Sequence, residues 1–319
     1  MKKSIFAFAA ALAALVACNK NDVEPMAPQN QEPLLSCELT VGITGNMTKA
    51  TDISAENEVK VNNLQVFVFR GDELDAYASV DDAKELTLSC TAGERAVYAL
   101  VNAPSYAAVS SKAALLAKVS QLSANSLSNF EMVGNKTVTL PQASTVAIDV
   151  NRIASRVVLK KITRNFSSAA LQSLNFSVEA IYLVNVAGNT SYDLTAAPAQ
   201  WYNVAEYKEE LDKLLYDAPG ANLENGGSHS VVHNFYAYPN DKKEYTTRIV
   251  IETKLGERTY YYPINLPEMA SNKSYEIEEV VITRPGSDDP DVPVSFEDAA
   301  FSINVVDWTV VAVTEGTTI

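Results

Sequence analysis

The chain has 319 residues, with 25 basic side chains against 39 acidic ones and a net charge of −14. That length allows two domains with cores of their own. The acidity, with no compensating basic patch, argues against nucleic acid or an anionic membrane surface as partner. Three cysteines, Cys18, Cys37 and Cys90, are too few for a disulfide framework.

Met1-Lys2-Lys3 opens the chain and an apolar run from Ile5 to Val16 comes next. A basic start and a short apolar core describe a secretory signal, too short to span a bilayer as a stable helix. The run ends in Leu15-Val16-Ala17-Cys18, which resembles the bacterial lipobox, where the thiol is acylated and becomes the new N-terminus. Residues 1–17 are therefore expected to be a lipoprotein signal peptide and Cys18 a lipidation (palmitate) site; the alternative is an ordinary signal with a chance Cys.

Asn19 to Pro33 is polar and punctuated by Pro25, Pro28 and Pro33, which reads as a tether. The pattern then changes. Cys37, Leu39, Val41 and Ile43 alternate with Glu38, Thr40 and Gly42, predicting a strand with one buried face that ends at Gly45-Asn46. Between Lys20 and Lys49 there is no Lys or Arg, and the next basic residue is Lys60. A trypsin-like protease cutting between Lys49 and Ala50 would release the tether and this strand in one piece.

Strands dominate the rest of the chain. In Val61 to Arg70, Leu64, Val66 and Val68 fall on one face and Phe67 and Phe69 on the other, as in a central sandwich strand. Further strands are predicted at Glu85–Cys90, Arg95–Asn102, Thr137–Leu140, Thr145–Val150, Ser155–Ile162 and Leu174–Val186. One or two short surface helices are expected between Ser110 and Leu127, and a helical patch over Val204–Tyr216. Strands return at Ser230–Tyr238, Thr246–Lys254, Arg258–Ile264 and Tyr275–Thr283. Phe301, Ile303 and Val305 alternate up to Trp308, beyond which a β-branched apolar run continues to Ile319. Such a run needs a partner strand, since left free it is an aggregation hazard.

Residues for catalysis are scarce. The only histidines, His229 and His233, share a strand face and could pair on a metal; a surface strand carrying two histidines is the plainer reading. Asp288, Asp289 and Asp291 lack the loop a calcium site needs and read as solvated linker. Arg152 and Arg156 read as solvated strand-edge charges. Cys37 and Cys90 read as buried free thiols, with a disulfide between them as the alternative. No nucleophile elbow, phosphate-binding glycine loop or His-Glu-Xaa-Xaa-His run occurs. Neither an enzymatic activity nor a cofactor or metal is expected. Tyr260-Tyr261-Tyr262, the densest of the tyrosines, reads as core packing before a carbohydrate-binding surface.

An ordered set of short segments resembles the FimA-type fimbrillin family of Bacteroidales, the subunits of protease-assembled (type V) pili. The segments are the lipobox, Thr48-Lys49-Ala50, Val66–Phe69 followed by Gly71, Leu100–Pro104, Ile153–Val157, Ile181–Val186, Phe235–Asn240, Asn272–Tyr275 and Val305–Trp308. None is diagnostic alone. The resemblance implies a mainly β protein: two transthyretin-like β-sandwich domains, 50–188 and 189–319, with a few short surface helices. It also implies a removable propeptide, 18–49, whose strand Leu34–Ile43 carries Cys37, Leu39, Val41 and Ile43. The lipidated precursor reaches the cell outer membrane, and a trypsin-like protease cuts between Lys49 and Ala50. A donor strand from another subunit, Trp308–Ile319 with Trp308, Val310, Val311 and Val313, then refills the vacated groove. Relatives cut by arginine-specific proteases carry Arg at the junction, so the enzyme acting here must accept Lys49, or the chain is not cut.

Physics supports the exchange independently. A ten-residue strand spans about 33 Å and leaves its ladder partners open once removed. Four or five inward side chains are worth roughly 1.5–3 kcal/mol each, on the order of 6–15 kcal/mol gross. A donor of matching alternation can refill the groove, and a head-to-tail contact of this kind generates filaments. The expected function is thus a structural fimbrial subunit for adhesion. Its partners are other copies or related subunits, the outer membrane through the precursor's lipid, the protease, and a receptor whose identity the sequence leaves open. The alternatives are a tip or accessory adhesin of the same fold and a glycan-binding surface lipoprotein.

Overall fold

The computed structural model describes residues 35–45, 57–141, 143–207, 211–241, 245–294 and 299–308. Its first strands are β1 (Ser36–Gly45), β2 (Asn63–Arg70), β3 (Glu73–Asp81), β4 (Glu85–Thr91), β5 (Gly93–Val101), β6 (Val119–Gln121), β7 (Met132–Leu140) and β8 (Ala143–Arg152). Seven of these, all but β6, form one sheet of order β3-β2-β5-β7-β8-β1-β4. β2 carries its two apolar faces as expected. Leu64, Val66 and Val68 join an inner core with β1, β4, β5 and β8, while Phe67 and Phe69 join a second, larger core. β3 has no counterpart among the predicted strands. Its Glu-Leu-Asp-Ala-Tyr-Ala-Ser-Val-Asp offers only small and half-buried side chains, which leave little alternation to detect.

Sheet membership changes between Arg152 and Ser155. Strands β9 (Ser155–Leu159), β10 (Ile162–Arg164) and β11 (Phe176–Val184) are followed by the short pieces β12 (Val186–Ala187), β13 (Asn189–Ser191), β14 (Trp201–Tyr202), β15 (Tyr216–Asp217), β16 (Ala221–Asn222) and β17 (Ser228–His229). Then come β18 (His233–Ala237), β19 (Arg248–Leu255), β20 (Arg258–Asn265), β21 (Lys273–Ile282) and β22 (Ala299–Asp307). One sheet runs β17-β10-β21-β9-β18 with β22 on the other side of β21, and another runs β15-β11-β19-β20 with β16 on β11. Phe176, Ile181, Ile249, Ile251, Tyr262, Ile277 and Val280 fill the large core.

Between Ser110 and Leu127 the expected short helices are present. Lys112–Leu116 is capped by the Ser111 hydroxyl, which accepts from the Ala114 amide, and a 3-10 turn covers Leu122–Ala124. Between them lies β6, which pairs with β13. In the stretch 204–216, the helix covers only Asp212–Leu215 among the described residues, and Tyr216 already belongs to a strand. At Tyr216 tertiary pairing overrides helical propensity.

Two polar clusters tie distant parts of the chain. The Glu58 carboxylate is fully buried and accepts from Arg156 Nη1 at 3.1 Å, Tyr236 OH at 2.5 Å and Trp308 Nε1 at 3.1 Å. Arg152 is also buried. Its Nε donates to the Glu58 carbonyl at 3.1 Å and its guanidinium lies over the Trp308 ring, 4.4 Å from the centroid. Arg152 and Arg156 are therefore not solvated strand-edge charges. Glu58 and the Trp308 ring take them out of water: Arg156 pairs with the Glu58 carboxylate, and Arg152 donates to the Glu58 and Trp308 carbonyls beneath the indole.

The second cluster closes the seven-stranded sheet on itself. Asp75 of β3 accepts from the Thr91 amide and hydroxyl, each at 2.8 Å, and from Arg95 Nε at 3.0 Å. Arg95, on β5 and almost fully buried, also donates to the Thr91 hydroxyl and to the Ala92 carbonyl. The two edge strands β3 and β4 are thus fastened together. Burial pushes the Asp75 carboxyl up, but the Thr91 and Arg95 donors outweigh it and hold the group below its ordinary value.

Each cluster makes a measurable demand on stability. Trp308→Ala empties a core site and should cost about 3–5 kcal/mol in urea unfolding. Trp308→Phe, which keeps a ring but removes the donor to Glu58 and part of the indole volume, should cost less, about 1–3 kcal/mol. Asp75 titrates lower in the folded chain than its unfolded value near 3.9. Its contribution is therefore complete above that pH and is lost as the pH falls through the lower folded value. Acid-unfolding curves of Asp75→Asn should lack that part of the pH dependence.

Candidate functional site

The site is built around β1. Its burial alternates as the spacing requires, with Cys37, Leu39 and Val41 fully buried and Ile43 nearly so. All four project into the inner core beside Leu64, Val66, Leu88, Val97 and Ile148. β1 runs antiparallel to β4, with Ser36–Gly42 opposite Thr91–Glu85, and parallel to β8, with Glu38–Gly45 beside Ala143–Val150. The first strand therefore sits inside the sheet, between two strands that come much later in the chain.

The neighbours depend on it. β4 has no other ladder partner in the sheet, and β8 pairs with β7 only at Met132–Arg152 and Val133–Asn151. The Thr40 and Thr87 hydroxyls meet at 2.9 Å, and Thr44 donates to Asp149 at 2.5 Å. Backbone bonds from Ala92 N to Leu35 O, 2.8 Å, and from Ile43 N to Lys84 O, 2.9 Å, close the two ends. Gly45, at φ +112°, takes a conformation that side-chained residues rarely adopt, and a Cβ there would lie 2.7 Å from the Val150 carbonyl.

Cys37 and Cys90 are register partners across β1 and β4, and both are buried free thiols. Burial, with a smaller contribution from Cys37, pushes the Cys90 thiol up to about 11. It is a packing residue and no nucleophile at neutral pH.

Other sequence candidates fall elsewhere. Trp308 is a core residue of its own chain, stacked edge-on against Phe130 at 5.6 Å and bonded to Glu58. Cys18, Lys49, Ala50, Val310, Val311 and Val313 lie outside the described residues. His229 and His233 are not a surface pair: His233 is buried and its Nδ1 lies 2.7 Å from Asp217. Their Nε2 atoms lie 2.9 Å apart with ring centroids at 5.1 Å, so the nitrogens point at one another. With Asp217 accepting from His233 Nδ1, His233 Nε2 accepts from His229, and the lone pair a metal needs is spent. No group of three metal-ligating side chains occurs among the described residues. Asp291 of the acidic loop pairs with Arg248. Tyr262 is buried in the large core, and Tyr261 packs on the opposite face beside Tyr207 and Tyr216. Those two rings stack on each other, 4.4 Å apart and 4° from parallel, so the facing sides are occupied by protein.

Spacing alone does not reveal Glu58, Asp75 or Arg95. Glu58 is buried by partners far away in sequence, and Asp75 and Arg95 by each other and Thr91 across three strands, so no local periodicity marks these positions.

Comparison with known proteins converges on the same region. Residues 36–166, from β1 to just past β10, match the family model of the major fimbrial subunit protein FimA. The chain is 23% identical to the major fimbrium subunit FimA type-3 of Porphyromonas gingivalis, over 96% of this chain and 97% of that one. Its fold is similar to that of a candidate cell adhesion protein from Bacteroides eggerthii, with a TM-score of 0.70, 21% identity and coverage of 88% and 98% of the two chains. It is also similar to a fimbrilin from P. gingivalis W83, with a TM-score of 0.64, 15% identity and coverage of 86% and 98%. The matched region contains the whole β1 groove, and over it the chain is similar to FimA-type major fimbrial subunits.

Proposed function

We propose that this chain is a fimbrial subunit that polymerises by strand replacement. It is exported as a precursor lipidated on Cys18 and held at the outer membrane. A protease that accepts Lys cuts between Lys49 and Ala50, and β1 leaves with the propeptide. The reading keeps two β-sandwich domains, with the boundary moved from 188/189 to between Arg152 and Ser155, because β9, β10 and β11 pair with β18, β21 and β19.

One observation carries the proposal: β1 is the sole ladder partner of β4 and the main partner of β8. Few first strands are placed where their loss opens a full-length slot inside a sheet. The four inward side chains of β1 are worth on the order of 6–12 kcal/mol gross, so an empty slot binds a strand of matching alternation strongly. The donor is assigned to residues 309–319 of another copy, with Val310, Val311 and Val313 as its apolar teeth. Trp308, which the sequence pattern groups with that strand, is better read as its root, because the Glu58 cluster holds it in its own subunit. Each copy then carries one slot and one donor, and head-to-tail contacts extend without closing. Relatives that are fimbrial subunits support an extracellular surface fimbrium as the site of action.

The direct test is the N-terminus and mass of the protein recovered from cell-surface filaments. A start at Ala50 is expected; retention of acylated Cys18 contradicts the proposal. Deleting residues 309–319 should leave a folded monomer that cannot extend filaments, and normal filaments from that truncation would place the donor elsewhere.

A further inference from the structure

The slot has a weak wall. β4 forms one side of it, and β1 is its only ladder partner. If β4 shifts when β1 departs, no defined edge remains for an incoming strand. Short connections tie β4 to β3 and to β5, so it stays nearby, but they do not set its register. Among the described residues, its polar side-chain contacts fall into two groups. Thr87 bonds to Thr40 of β1 and is lost with it. Thr91 bonds to Asp75 of β3 and Arg95 of β5.

No member of that second group lies on β1. Asp75, Thr91, Arg95 and the Ala92 and Glu94 carbonyls that Arg95 also binds are all retained after a cut at Lys49. A charge pair this buried is a poor source of stability, since well-packed apolar residues often do better. It is well suited to fixing one arrangement of a strand that has lost its ladder. Resting on the strand-replacement reading, we propose that Asp75, Arg95 and Thr91 form a clasp that holds β4 as the wall of the empty slot. They are positioning residues for strand uptake and touch neither the departing nor the incoming strand through their side chains.

The experiment uses the full chain, cut after Lys49 and stripped of the freed segment in sub-denaturing urea. Two fluorescent peptides serve as probes, residues 34–45 and residues 309–319. Thr91→Val, which leaves the Asp75–Arg95 pair in place, should weaken uptake of the peptides at least tenfold, while the urea midpoint of the uncut chain, where β1 holds β4, barely moves. Thr91→Ser keeps the amide and hydroxyl and should restore uptake. Undiminished uptake in Thr91→Val overturns the clasp. So does a parallel loss of uptake and uncut-chain stability, which marks a merely structural role, or a wild-type chain that takes up neither peptide. A wild-type chain that takes up 34–45 but not 309–319 contradicts the donor assignment instead, and the first peptide still tests the clasp.

Discussion

The sheet around the inner core is complete only while β1 is in it. Among the described residues β1 is the only ladder partner of β4, and β8 is bonded to β1 along most of its length. A sheet with every interior edge paired is inert, whereas one missing an interior strand exposes two rows of unsatisfied donors and acceptors. Capped and uncapped chains therefore differ in reactivity far more than in composition. In the proposed assembly, the strand that finishes the fold also keeps the subunit from joining another.

The Glu58 cluster gives this arrangement its geometry. Glu58 comes a short stretch of chain after the Lys49–Ala50 junction, and Trp308 directly precedes the apolar tail. Their side chains bond to each other, with Arg152 from the end of β8 and Arg156 from β9 packed over the indole ring. Both segments that move in the proposed assembly are thus rooted at one buried point. Pull on the tail is delivered to a core residue bonded across the molecule, and not to the exposed edge strand β22 alone.

Much of this could be read from residue order. The alternation of Cys37, Leu39, Val41 and Ile43 identified β1 and its inward face, and the two-faced pattern of β2 correctly split Phe67 and Phe69 from Leu64, Val66 and Val68. Such patterns are local and depend only on the pleat. What stayed hidden depends on distant partners. Arg152 and Arg156 look like ordinary strand charges until Glu58 and Trp308 arrive from opposite ends of the chain. His233 looks exposed until Asp217 meets it. β3 lacks apolar alternation because its neighbours, more than its own side chains, define it. The helical spacing in 204–216 gave way to strand pairing at Tyr216, where a tertiary ladder outweighs intrinsic preference.

The central claim is that β1 supplies the ladder pairing of β4 and most of that of β8, and that another strand can restore it. Amide hydrogen exchange along β4 and β8 tests it most directly, compared between the intact chain, the chain cut after Lys49 and stripped of β1, and the stripped chain in a filament. Protection over 85–91 and 143–150 should fall on stripping, remain high over β2 and β5, and return in the filament. Protection that persists in β4 and β8 without β1, or that fails to return on assembly, would contradict the account.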